Sequence, residues 1–153
     1  MNTDIQFMQA ALIAANQSRV ENEIPVGAVL VQDQTIIAEA YNRTISLHDP
    51  TAHAEILAIR EAGKKLNNYR LPGLTLYVTL EPCIMCMGAL IHARIKRIVY
   101  GAKDSKWGGC GSIYHMENDP RMNHQIHVTG GICENECRQI IQSFFQKKRN
   151  RNG

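Results

Sequence analysis

The chain predicts an α/β fold, a central mixed sheet with helices on both faces, and three observations carry that prediction. Apolar residues recur at helical spacing near both ends and in two internal segments. Five short apolar runs of strand length lie between and beside them, and the first two are separated only by Gln32, Asp33 and Gln34, which makes them an antiparallel hairpin. Strands that alternate with helices place a sheet at the centre and layers on either side of it.

The elements follow in order. Ile5, Met8, Leu12 and Ala15 define an amphipathic opening helix over 4–18. The hairpin strands are 25–31 (PVGAVLV) and 35–40 (TIIAEA). A polar loop spans 42–51; Asp49 and Pro50 have the character of a helix cap and first helical position, so a second helix is predicted from there to about Gly63. The run 74–79 is a strand, Glu81 and Pro82 announce the helix CIMCMGALIHAR, and 95–101 is the next strand. Residues 102–124 have no clean period and contain Gly108, Gly109 and Gly111, which predicts a long functional or interface loop with a short helical turn. A last strand near 125–129 leads to a closing helix whose apolar face is Cys137, Ile140, Ile141, Phe144 and Phe145.

At 153 residues the chain has the size of a single domain, 1–153, with its own core. No apolar run approaches the length of a membrane span, and the opening MNTDIQFMQA lacks the basic start and apolar centre of a secretion signal, so the expected location is cytoplasmic with no membrane partner. Five cysteines in a reducing compartment favour metal ligation or core packing over a disulfide framework. The net charge of +3 is small, but Lys147, Lys148, Arg149 and Arg151 crowd the tail, and Arg94, Lys96, Arg97, Lys103 and Lys106 gather past the middle. Such clusters suit phosphates; for the tail, a solvated helix end is an equally good account.

Two segments carry the chemistry, TAHAE at 51–55 and EPCIMC at 81–86. His53, Cys83 and Cys86 offer one imidazole and two thiolates to a borderline-soft metal and leave a fourth position open. Cys83 and Cys86 are three apart at a helix start, where they share a face and where free N–H groups favour thiolate. Glu55, two residues beyond His53, sits where it can accept a proton from the metal's water and return protons to a ring nitrogen and a departing amine. A lone Cys-x-x-Cys is weak, and a lone His-x-Glu weaker. Together, with Pro82 before the first cysteine, they form the signature of zinc-dependent nucleobase deaminases.

Over nearly its whole length the chain resembles bacterial tRNA-specific adenosine deaminases. The similar text comprises IPVGAVLV at 24–31, HDPTAHAEILAIR at 48–60, NYRL at 68–71, TLYVTLEPCIMCMGALIHARI at 75–95, VYGAKDSKWGGCGS at 99–112 and SFFQKKR at 143–149. The resemblance implies a cytidine-deaminase-like three-layer α/β/α sandwich with a mixed five-stranded sheet. It further implies a homodimer, one zinc ion per subunit, and conversion of adenosine to inosine at wobble position 34 of a tRNA anticodon stem-loop, with an A34 arginine tRNA as the expected substrate. It assigns zinc to His53, Cys83 and Cys86, and proton transfer to Glu55.

The resemblance also nominates substrate contacts. Asn42 would meet the nucleoside through an amide that both donates and accepts, with a side chain that holds its own loop by local hydrogen bonds as the alternative; Ala54 would let the base approach closely, and Ile24, Pro25 and Val26 would form an apolar wall, core packing being nearly as good an account of Val26. Asp104 would accept from a ribose hydroxyl and Lys106 would meet a phosphate, while Trp107 has two accounts, stacking on a splayed base or packing between subunits. Phe144 and Phe145 cannot face the same way on a helix; Phe145 is the one assigned to RNA. Cys133 and Cys137, four apart on the closing helix, are read as small apolar residues, and Cys110 has no catalytic role. The motif alone also admits a deaminase of a free nucleoside, nucleotide or base, or a noncatalytic RNA-binding protein that keeps a structural zinc.

Overall fold

The computed structural model describes residues 3–152. Met1, Asn2 and Gly153 lie outside the described residues, as does the side chain of Arg151, so the opening segment and the basic tail are followed only in part. The helices are α1 (Thr3–Val20), α2 (Ala54–Leu66), α3 (Ile84–His92) and α4 (Glu134–Asn152); the strands are β1 (Gly27–Gln32), β2 (Thr35–Tyr41), β3 (Thr75–Leu80), β4 (Arg97–Ala102) and β5 (His127–Thr129). One short 3-10 turn, Met116–Asn118, interrupts the long segment after β4.

The sheet runs β2-β1-β3-β4-β5. β1 is antiparallel to both β2 and β3, whereas β3, β4 and β5 are parallel, which is the mixed five-stranded sheet expected. Alternating residues along each strand face opposite layers. Ala28, Leu30, Leu76, Val78, Ile98 and Tyr100 pack with α2 and α3 residues such as Ala58, Met87 and Leu90. Val29, Val31, Tyr77 and Val99 pack on the other face with Phe7, Met8, Ala11 and Leu12 of α1 and Cys137 of α4. This completes an α/β/α sandwich. Gly27 lets α1 lie close to β1, since a Cβ there would stand 2.0 Å from the Ala11 carbonyl oxygen.

Three local expectations are corrected. Gln32 belongs to β1 and pairs with Thr35, so the hairpin turn is only Asp33–Gln34; both take positive φ, as a two-residue turn between twisted strands requires. Asp49 and Pro50 do not open α2. Asp49 Oδ1 accepts instead from the backbone N–H and hydroxyl of Thr51, at 2.9 and 2.7 Å, and the helix begins only at Ala54. Cys133 precedes α4 in a left-handed conformation (φ 55°), so it is not on the closing helix with Cys137.

Candidate metal centre and substrate cleft

The late start of α2 has a reason in the site itself. Its N-cap is His53, and the N-cap of α3 is Cys83; both have extended backbone and neither side chain caps its own helix. Serine, threonine or aspartate would be the usual choice. Here the capping preference is given up, and the two side chains turn toward each other. Cys86 sits in the first turn of α3, so Cys83 and Cys86 share a face although Cys83 is itself one residue outside the helix.

The donor atoms of His53, Cys83 and Cys86 all lie within 4.8 Å of one another. His53 Nδ1 is 3.7 Å from Cys83 Sγ and 3.5 Å from Cys86 Sγ. A tetrahedral zinc ion with ordinary Zn–N and Zn–S bonds needs an N···S edge of about 3.6 Å. The three residues therefore fit zinc in chemistry and in spacing. Hydrogen bonds from Cys86 and then His53 hold the Cys83 thiol down at about 4, while the same thiol pair and burial raise Cys86. A bound cation would take both sulfurs as thiolates, since metal ligation requires their deprotonation.

Glu55, on the first turn of α2, is 4% exposed. Burial pushes its carboxyl up to about 7, with the neighbouring His53 and a Cys86 hydrogen bond only partly opposing that shift. This is the range in which a carboxyl both takes and gives a proton near neutrality.

His53, Glu55 and Cys83 line the floor of a cleft of about 460 Å³, with Cys86 buried beside them. Ile24, Val26, Asn42, Ala54, Asp104 and Trp107 also line it. Asn42 is 7% exposed; its Nδ2 donates to the Ile24 carbonyl at 3.2 Å, while its Oδ1 has no hydrogen-bond partner among the described residues. A buried amide oxygen without a partner beside a cleft keeps its acceptor capacity unspent. Ala54 is fully buried, and Trp107, 65% exposed, stands at the cleft wall.

Other nominated residues fall differently. Asp104 Oδ1 accepts from the backbone N–H of Lys106 and of Trp107, at 3.0 and 3.1 Å, so part of its acceptor capacity is spent on its own loop. Lys106 is exposed and lies outside the cleft lining. Pro25 is also outside that lining, unlike Ile24 and Val26. Phe144 is buried, and Phe145 is exposed with its ring edge-on to Phe144 at 5.5 Å and is not among the residues that line the cleft.

Two buried carboxylates escaped the reading of the sequence. Glu23, just before the cleft residue Ile24, accepts from the backbone N–H of Ile45 at 3.1 Å and of Ser46 at 2.7 Å, pinning the loop that leads from Asn42 to His53. Glu81 was read only as a herald of α3, yet it is 2% exposed and its carboxylate is buried under the loop that carries Asp104 and Trp107. The available signal was a charged residue directly flanking an apolar strand, LYVTL, where a solvated position is not expected.

Residues 1–102 match the family described as the cytidine and deoxycytidylate deaminase zinc-binding region. The chain is 52% identical over 147 residues to a tRNA-specific adenosine deaminase of Haemophilus influenzae, covering 95% of this chain and 85% of the relative. It is 48% identical to one of Buchnera aphidicola, covering 97% and 91% respectively. A solved structure from work on A-to-I editing by tRNA:A34 deaminases superposes with a TM-score of 0.86 at 47% identity, over 88% of this chain and 98% of that one. A guanine deaminase from Nitrosomonas europaea, at 22% identity, shares the fold with a TM-score of 0.79 over 92% and 83%. With a zinc-fitting centre, a buried carboxyl beside it and relatives of this similarity along almost all its length, the chain belongs to the bacterial tRNA-specific adenosine deaminases, zinc-dependent enzymes of the cytidine and deoxycytidylate deaminase superfamily.

Proposed function

We propose that this chain hydrolytically deaminates adenosine to inosine at wobble position 34 of tRNA, with His53, Cys83 and Cys86 holding one zinc ion per subunit. The observation that carries the reading is the placement of buried Glu55 against that donor cluster on the floor of a cleft with an unpaired Asn42 acceptor. Zinc, when bound there, supplies a Lewis acid that lets water act as a nucleophile near neutral pH.

The side chains supply the rest. Glu55 accepts a proton from the attacking water and delivers it to the purine ring nitrogen; a second transfer through the same carboxyl reaches the exocyclic amine as the C–N bond breaks. Adenosine and water become inosine and ammonia. A carboxyl held near 7 by burial can perform both transfers without a large energetic penalty in either direction. Asn42 Oδ1 accepts from the nucleoside, Ala54 keeps the space beside the ring open, and Ile24 and Val26 shelter the ring from water.

Around this cleft, Asp104 and Lys106 are assigned to the flanking nucleotides, Trp107 to base stacking, and Phe145 with Lys147, Lys148 and Arg149 to the RNA backbone outside the loop. An anticodon loop already displays its bases, which lowers the cost of inserting one into a pocket. The preferred partner is an A34 arginine tRNA, and the working unit is a cytoplasmic homodimer. The test is inosine detection by sequencing after zinc-loaded protein meets an A34 arginine anticodon stem-loop, with a G34 control. Conversion at position 34 is expected. Turnover of free nucleosides without conversion of the stem-loop would replace the RNA reading with a small-molecule one.

A further inference from the structure

Glu81 has no cation beside it among the described ion pairs, and its carboxylate is filled by the loop above it. Oε1 accepts from the Asp104 backbone N–H at 3.1 Å and from the Ser112 hydroxyl; Oε2 accepts from the Ser112 N–H at 3.0 Å and the Cys110 N–H at 3.3 Å. A carboxylate has about four acceptor positions. All are occupied, so Glu81 has none left for a substrate although it borders the cleft.

The loop is shaped to this carboxylate. A Cβ at Gly108 would stand 2.4 Å from Glu81 Oε2, and one at Gly109 would stand 2.8 Å from Met87 Cγ. Gly109 donates to the Pro82 carbonyl at 2.8 Å, and Gly108 bridges Cys83. From Glu81 the hold passes to Asp104 through its N–H, and from the Asp104 carboxylate to the N–H groups of Lys106 and Trp107. Each link is a hydrogen bond of ordinary length onto a carboxylate oxygen, and together they run from Glu81 to Trp107.

We propose that Glu81 is a positioning residue that sets the substrate-facing wall of the cleft: its buried carboxylate clamps residues 104–112 and thereby places Asp104 and Trp107 against the RNA. The consequence for RNA rests on the deaminase reading above, whereas the clamp itself can be measured without it. Trp107 is the single tryptophan of the chain, so its fluorescence anisotropy reports the order of this loop directly.

Glu81→Gln puts an amide donor against N–H and O–H donors. In the zinc-loaded protein it is expected to add a fast local component to the Trp107 anisotropy decay and to raise KM for the A34 stem-loop about tenfold. The same variant should leave kcat within about threefold and bound zinc unchanged, the pattern of lost substrate positioning. Ser112→Ala, which removes one donor from Oε1, is expected to move both readouts the same way by a smaller factor. Gly108→Ala approaches the contact from the loop side and should reproduce the Glu81→Gln pattern should that variant not fold.

A loss of kcat at constant KM, or loss of zinc, in Glu81→Gln overturns the assignment in favour of a role at the reacting centre. Folded Ser112→Ala and Gly108→Ala proteins with unchanged anisotropy and KM overturn it as well. If the unaltered protein leaves the stem-loop untouched, the RNA reading fails, while the anisotropy comparison still decides whether Glu81 orders the wall.

Discussion

The floor and the wall of the cleft are held by different physics. His53, Glu55, Cys83 and Cys86 ride at the starts of α2 and α3, whose buried faces are packed on the sheet by Ala58, Ala62, Met87 and Leu90. Residues 104–112 carry no regular element; Cys110 is buried in the core, and the rest of the loop is tied by backbone hydrogen bonds and by the buried Glu81 carboxylate. The floor is therefore anchored mainly by area removed from water, and the wall by directional hydrogen bonds together with the burial of Cys110. Chemistry is expected to depend on the first and RNA selection on the second.

The largest expected effects lie in the floor. Cys86→Ala or His53→Ala should abolish zinc binding, read by metal analysis of the purified protein, and with it activity; a strong chelator should do the same reversibly, with zinc restoring turnover. Glu55→Gln should retain zinc and lose about 10³-fold or more in kcat, since the carboxyl serves two proton transfers. Near-normal turnover by a zinc-loaded Glu55→Gln protein would remove the proton-transfer role and with it the central claim about the floor.

Next in size is the packing beneath it. Gly27→Ala forces a Cβ against the Ala11 backbone, and because backbone cannot swing aside as a side chain can, α1 must shift off β1. A loss of about 3 kcal/mol in urea unfolding is expected. An unchanged midpoint would mean that the fit of α1 onto the sheet is looser than its geometry implies.

A smaller stability effect comes from Asp4, whose carboxylate receives 2.8 and 2.9 Å hydrogen bonds from Arg97 and a 2.9 Å bond from Tyr77. The Arg97 bonds, followed by the Tyr77 bond, hold Asp4 below its ordinary value of 3.8. A carboxyl depressed in the folded state stabilises fully above its unfolded pKa and loses that contribution as pH falls through the folded value. The stability gap between the unaltered chain and Asp4→Asn should thus be constant above about pH 5 and close below about pH 4. A gap that persisted unchanged at the lowest pH would show that the charge of Asp4 is not its source.

The smallest effect belongs to the wall's outer edge. Lys106→Ala should weaken stem-loop binding modestly and reduce the slope of affinity against salt by about one, leaving kcat unchanged. No change in that slope would place Lys106 away from any phosphate.

How much of this was legible in the sequence differs between the two regions as well. His53, Glu55, Cys83 and Cys86 could be singled out because metal chemistry restricts residue type and spacing within five-residue and six-residue segments. The five strands and four helices were legible because burial on a sheet or helix repeats with a fixed period. The start of α2 was misplaced because Asp49 has the side chain of a cap and His53 does not; the true cap was chosen for the metal centre. Glu81 and Glu23 went unrecognised because a carboxylate's value as a clamp depends on which distant N–H groups fold over it, and no local pattern records that.

By itself, then, the sequence determined the layered α/β architecture and the donor set, and it singled out the carboxyl of Glu55 beside them, since each follows from periodicity or from short-range chemistry. Only the tertiary structure decided that two N-caps turn their side chains together at the cleft floor, that Asn42 keeps an unpaired oxygen beside it, and that Phe145 is not part of its lining. The reason is physical: these are contacts between residues far apart in the chain, whose meeting depends on sheet order and register, and neither is written in any one segment.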